Sequence, residues 1–124
     1  IHLHPDIIRL LTRCKGAERA VAITDAMEAA GMPDGQYQLG GQAVFVKDGA
    51  ARLADGTLAG STLTMVRALQ NMISFGVAPE AAARMTTATP AESIGEAKWG
   101  PIADGAPAVF ARFDKQWNFV ETIG

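Results

Sequence analysis

The sequence predicts an α/β fold, and three observations make the case. The chain opens as a strand–helix–strand unit, with an extended start at Ile1 to His4, a helix from Pro5 to about Cys14, and a short apolar run at residues 19–23. That run, Arg19-Ala-Val-Ala-Ile23, lacks polar alternation and so reads as a parallel strand buried on both faces. From residue 37 the pattern turns to alternating runs around an Asp-Gly pair, and from residue 63 to helical spacing.

Each element has a local reason. Pro5 suits a first helical turn because its ring already fixes φ, and Ile7, Ile8, Leu10 and Leu11 recur at helical spacing behind it. Lys15-Gly16 closes that helix with a cation at the negative end and a glycine for a left-handed cap. Strand, helix and strand at this spacing imply a crossover between two parallel strands of a larger sheet. Tyr37-Gln-Leu39, Gln42 to Val46 and Ala50 to Leu53 read as a β-hairpin insertion at about residues 36–54, turning at Lys47-Asp48-Gly49. A small-residue loop, Asp55 to Thr62, leads into a helix from about Leu63 to Phe75. Met65, Leu69, Met72 and Ile73 line one side of it, and Thr62 or Thr64 caps it. Gly76 ends this helix, Pro79-Glu80 starts another to about Thr87, and Pro90 restarts a helical turn that Gly95 closes. Past a turn-rich linker at residues 100–105, Pro107 to Phe113 and Asn118 to Ile123 read as two strands. They need a partner sheet, since a pair of strands is marginal in water.

Composition narrows the function classes. With 124 residues, 48% of them hydrophobic, and a net charge of −2, the chain is at most one domain's worth and offers no basic stripe for nucleic acid or a membrane surface. No apolar run is long enough to span a bilayer. The single Cys14 cannot form an internal disulfide, which predicts a buried, inert thiol in a reducing, cytoplasmic setting. The start, Ile-His-Leu-His-Pro, has no Met and reads as the tail of a strand from a longer polypeptide.

Few residues carry chemistry. Asp25 follows the 19–23 strand, where α/β folds build active sites at the carboxyl ends of strands; the alternative is an Asp that merely caps the following turn. His2 is either a ligand at a strand end or a structural histidine. His2 and His4 form a His-x-His pair that finds no third metal-ligand type nearby. Glu28 and Asp34 read as loop carboxylates in water, and Gly56 and Gly60 match neither a P-loop nor a dinucleotide fingerprint.

Taken in order, several stretches resemble the N-acetylglucosamine-6-phosphate deacetylases of the amidohydrolase superfamily. They are Ile1-His-Leu-His-Pro5, Ala22-Ile-Thr-Asp25-Ala-Met-Glu-Ala-Ala-Gly31-Met32, and Leu53-Ala-Asp-Gly-Thr-Leu-Ala-Gly60-Ser-Thr-Leu-Thr-Met65. Arg84-Met-Thr-Thr-Ala-Thr-Pro-Ala91 and the Gly-x-Ile-x-x-Gly turn at residues 100–105 belong to the same pattern, which covers essentially the whole chain and matches that family's C-terminal third.

The resemblance implies a (β/α)8 TIM barrel beside a small β-sandwich. Residues 1–98 would supply the C-terminal part of the barrel and residues 99–124 strands of the sandwich. It implies that a divalent metal, zinc by expectation, and an aspartate hydrolyse the acetamide of N-acetylglucosamine 6-phosphate, giving glucosamine 6-phosphate and acetate. Asp25 matches the family's aspartate after the eighth barrel strand, the proton shuttle. His2 matches a histidine that contacts the sugar, and Leu58, Ala59 and Gly60 match the loop that lines the sugar pocket through its backbone. His4 carries no role over. The metal ligands of the family, a glutamate and two histidines, fall upstream of Ile1, so no metal ligand is expected within this chain. The implied partners are an amino-sugar phosphate, the upstream part of the polypeptide, and a second subunit in a homodimer. A fragment alone is expected to be inactive, because part of a barrel cannot bury its strands. Ala106-Pro-Ala-Val109 departs from the family's usual Ala-Asp-Leu-Val, which touches only a sandwich strand. Rival readings are another amide hydrolase of the superfamily, against which the loop from Leu58 to Met65 speaks, and a non-catalytic sugar-phosphate-binding remnant.

Overall fold

In a computed structural model that describes residues 1–124, the elements in chain order are α1 (Pro5–Lys15), β1 (Gly35–Leu39), β2 (Gln42–Lys47), β3 (Ala50–Arg52), α2 (Met65–Ser74), α3 (Pro79–Thr86), α4 (Ala88–Ser93), β4 (Phe110–Phe113) and β5 (Phe119–Ile123). The backbone forms two compact units. One comprises Ile1 and residues 23–68, the other residues 2–22 and 69–124.

The first unit is built on an antiparallel meander in the order β1-β2-β3, with Leu39 paired to Gln42 and Lys47 to Ala50. These registers leave two-residue turns at Gly40-Gly41 and Asp48-Gly49, and all four residues have positive φ. Such turns match the right-handed twist of paired strands, and they need residues that tolerate the left-handed region. One face of the meander is buried: Val44, Val46 and Ala51 pack with Met27, Ala29 and Ala59, and Tyr37 and Leu53 close the cluster. Antiparallel strands thus run between residues 35 and 52, where the alternating pattern lies.

Helices hold the second unit. Leu69 and Met72 of α2, Val77, and Ala82 and Met85 of α3 bury a core with Ala20. Phe113 packs against this cluster, and Gln70 donates to the Trp117 carbonyl at 2.8 Å, tying the β4–β5 hairpin to α2. Buried Thr89 donates to the Ala17 carbonyl at 2.6 Å. β4 and β5 are antiparallel with a register irregularity between Arg112 and Phe113, and Arg112 meets Glu121 at 2.8 Å across them.

Several expectations need correction. Residues 1–4 and 19–23 run without a ladder, so the opening strand–helix–strand unit forms no parallel pair. A parallel strand exists only through neighbours, and the chain sets none beside residues 19–23: the Ala22 N–H goes to the Met85 carbonyl at 2.9 Å. Only Ala20 of that run is buried, while Val21 and Ile23 are 42% and 67% exposed. Cys14 is exposed rather than buried, because it lies off the one stripe of α1 that meets the core, the stripe of Ile8. Met65 stands at the exposed start of α2 and is not part of the core. The last helical turn begins at Ala88 rather than at Pro90, and β4 is shorter than residues 107–113.

Candidate active site

Asp25 ends the extended run with its backbone in the left-handed region, φ 50°, a conformation that costs any residue carrying a Cβ and that turns the chain sharply. Immediately after it, Ala26 forms a parallel bridge with Ser61, and the Met27 N–H donates to the Ser61 carbonyl at 2.9 Å. This bridge is the only strand-like pairing that the run makes, and it brings the Asp25 turn alongside the loop carrying Leu58, Ala59 and Gly60. Asp25 itself is exposed.

The loop is held as firmly as a strand. Leu58 bridges Arg52 in antiparallel fashion, the Ala59 N–H donates to the Ala51 carbonyl at 3.0 Å, and the Leu53 N–H to the Thr57 carbonyl at 2.8 Å. Arg52 Nη1 donates to the Gly56 carbonyl at 2.7 Å. Ala59 and Ser61 are buried, while Leu58 and Gly60 are half-buried. Gly60 has φ 83°, and a Cβ there would lie 3.2 Å from Leu39 Cδ2 and 3.2 Å from Met27 Sδ. Glycine at this position lets the loop, the segment after Asp25 and β1 approach one another closely. At the loop's start the Thr57 N–H donates to Asp55 Oδ1 at 2.9 Å. That backbone bond, with a second from the Thr57 hydroxyl, holds the Asp55 carboxyl below the usual carboxylate value.

Asp25, Leu58, Ala59 and Gly60 thus come together in the first unit. His2 belongs to the second unit and is exposed. His4 serves the fold instead, as the N-cap of α1 whose Nδ1 accepts from the Asp6 N–H at 3.3 Å. No three His, Cys, Asp or Glu side chains converge in a way that would hold a metal ion. A cavity of about 280 Å³ in the second unit is lined by Glu18, Arg19, Val21, Thr89, Glu92 and Ser93. None of these belongs to the set that carries chemistry, and the bridged Asp25 turn in the first unit is the better candidate.

Glu28 and Asp34 are exposed loop carboxylates, as the sequence suggested, and each also has a backbone partner. Glu28 accepts from the Gln38 N–H at 2.7 Å and Asp34 from the Asp48 N–H at 3.0 Å, so both pin the loop after Asp25 to the meander. Sequence reasoning also passed over Ser61, whose carbonyl makes the bridge to Met27 and whose Oγ accepts from the Leu63 N–H at 3.1 Å. Its place beside Gly60 was the available signal. Thr64 is the cap of α2, its Oγ1 accepting from the Arg67 N–H at 3.3 Å, and this frees Thr62 to donate to the Gly49 carbonyl at 2.8 Å.

Residues 15–123 match the model of the amidohydrolase family. An N-acetylglucosamine-6-phosphate deacetylase of Lysinibacillus sphaericus is 37% identical over 124 residues, which cover 99% of this chain and 32% of that protein. A putative N-acetylgalactosamine-6-phosphate deacetylase of Escherichia coli strain K12 is 47% identical over 95 residues, 76% of this chain and 56% of that protein. The crystal structure of the N-acetylglucosamine-6-phosphate deacetylase from Thermotoga maritima superposes with a TM-score of 0.89 at 38% identity, over 99% of this chain and 34% of that one. The chain therefore spans about a third of the length of the Lysinibacillus and Thermotoga proteins. Its α/β fold is part of the fold of these deacetylases.

Proposed function

The chain belongs to the amidohydrolase family, and from that premise we propose that it is part of an enzyme that hydrolyses the acetamide of N-acetylglucosamine 6-phosphate to glucosamine 6-phosphate and acetate. The observation that carries this reading is the Ala26–Ser61 bridge, which joins the Asp25 turn to the loop of Leu58, Ala59 and Gly60 in a chain whose relatives are named for this reaction.

In this reading Asp25 is the proton shuttle. Its carboxylate takes a proton from the water that attacks the acetamide carbonyl carbon, and returns it to the amine nitrogen as the C–N bond breaks. An exposed carboxylate on a turn set by its own left-handed backbone is accessible to substrate. The 58–60 loop offers backbone polar groups to the sugar, since most of its side chains are too small to do so, and His2 contributes a further sugar contact. A divalent cation, zinc by expectation, is the cofactor whose Lewis acidity the family's chemistry uses, and its ligands would come from outside residues 1–124. Residues 1–98 would form part of the (β/α)8 barrel and residues 99–124 part of a sandwich. The working enzyme would be a cytoplasmic homodimer that includes the rest of the polypeptide, with these residues alone inactive.

A second reading concerns the sugar epimer, because the Escherichia coli relative, at 47% identity, is named for the galactosamine compound. Acetate release by the enzyme with its whole polypeptide, assayed on both N-acetylhexosamine 6-phosphates, tests the proposal. Release from the gluco compound at the higher kcat/KM supports it, a preference for the galacto compound selects the second reading, and release from neither sinks both.

A further inference from the structure

The turn at Asp48-Gly49 is bonded on both sides to elements of the site. Its Asp48 N–H donates to Asp34 Oδ2 at 3.0 Å, and its Gly49 carbonyl accepts from the Thr62 hydroxyl at 2.8 Å. Asp34 lies on the loop that leaves Asp25, and Thr62 follows Gly60 and Ser61 directly. Neither bond is needed to close the turn, which the Lys47–Ala50 pair and the positive φ values of Asp48 and Gly49 already do. The two bonds instead connect the segment leaving Asp25, the hairpin turn and the sugar loop in series.

We propose that the Asp48-Gly49 turn is a clasp that steadies the 58–60 loop where the Ala26–Ser61 bridge has set it beside the Asp25 turn, with Thr62 and Asp34 as positioning residues that touch no substrate. This rests on the function proposed above. The loop's backbone meets the sugar equally in the ground and transition states, so loosening the clasp weakens uniform binding and raises KM. The Ala26–Ser61 bridge does not depend on either bond, so Asp25 keeps its place and kcat holds.

The test uses Thr62→Val, Thr62→Ser, Asp34→Ala and the Asp34→Ala/Thr62→Val pair in the enzyme with its whole polypeptide. Acetate release is measured together with amide hydrogen exchange at Ala59 and Leu63. Thr62→Val is expected to raise KM about fivefold, the effect of one hydrogen bond, with kcat within about twofold. Thr62→Ser should restore KM, because it returns the hydroxyl. The double variant should raise KM by less than the product of the single effects, since both residues act through one turn. Exchange at Ala59 and Leu63 should quicken in Thr62→Val. An unchanged KM with unchanged exchange overturns the clasp, as does a fall in kcat at constant KM. Should Thr62→Val fail to fold, Asp34→Ala decides by the same readings. If the unaltered enzyme releases acetate from neither epimer, the functional reading has failed, and the exchange rates alone decide the clasp.

Discussion

The two units of this chain are held together by different physics. The second is built on a helical core of Leu69, Met72 and Met85, and its stability comes mainly from apolar burial, with the Gln70–Trp117 and Thr89–Ala17 bonds fastening other segments to it. The first carries Asp25, and the buried residues of its core cluster are mostly small: three alanines, two valines and one methionine. What fixes its loops is a set of hydrogen bonds between separate segments, donated from Gln38 to Glu28, from Asp48 to Asp34 and from Thr62 to Gly49. Apolar packing is non-directional and tolerates small shifts, whereas hydrogen bonds fix positions and angles. A unit that must aim a carboxylate at a reacting bond gains more from the second kind of support.

Substitutions on either side put this contrast at risk. The greatest change falls on chemistry alone: Asp25→Asn should lower kcat for acetate release by at least about a hundredfold, the lower end of what a general base contributes, without changing the melting temperature. Met85→Ala should do the opposite. Met85 is 3% exposed in the helical core, so its truncation should cost about 2–5 kcal/mol of stability in denaturant unfolding and leave kcat per folded molecule unchanged. Gly60→Ala should affect both, since a Cβ at φ 83° is strained and meets Met27 and Leu39. Roughly 1–2 kcal/mol of stability should be lost, and KM should rise.

A pH dependence in the second unit is the mildest of these effects. The Asn118 side chain, and then the backbone N–H groups of Asn118 and Gln116, hold the Asp114 carboxyl below its ordinary value. The folded state therefore binds that proton more weakly than the unfolded chain does. The stability this contributes is present above the unfolded value, about 4, and is lost as the pH falls through the folded one. Asp114→Asn should lower stability slightly near neutrality and flatten the acid limb of the stability–pH curve, so that the two curves converge below about pH 4.

Local chemistry was legible in the sequence, and tertiary pairing was not. Pro5 and Pro79 begin their helices, and Asp48-Gly49 makes its turn, because each depends on one or two residues and their neighbours. The apolar run at residues 19–23 has strand composition, yet a ladder is a property of two segments, and the Ala22 N–H found the Met85 carbonyl instead. Helical spacing in α1 located an apolar stripe without saying what covers it: Ile8 packs on the core, while Leu10 and Leu11 are 58% and 46% exposed. In the candidate site, Asp25 and the 58–60 loop could be singled out by residue type and resemblance. Their joining through Ser61 could not, since nothing in a serine announces which distant N–H its carbonyl will accept.

If the Asp25 turn and the 58–60 loop form one substrate site, a bound substrate must quiet both together. Amide hydrogen exchange of the Asp25→Asn enzyme, with its whole polypeptide and with and without N-acetylglucosamine 6-phosphate, is the decisive experiment, because that variant should bind the substrate without consuming it. Exchange is expected to slow together at Ala26–Met27 and at residues 58–61. Slowing at one segment with no response at the other, or at neither while the substrate is demonstrably bound, would contradict a shared site.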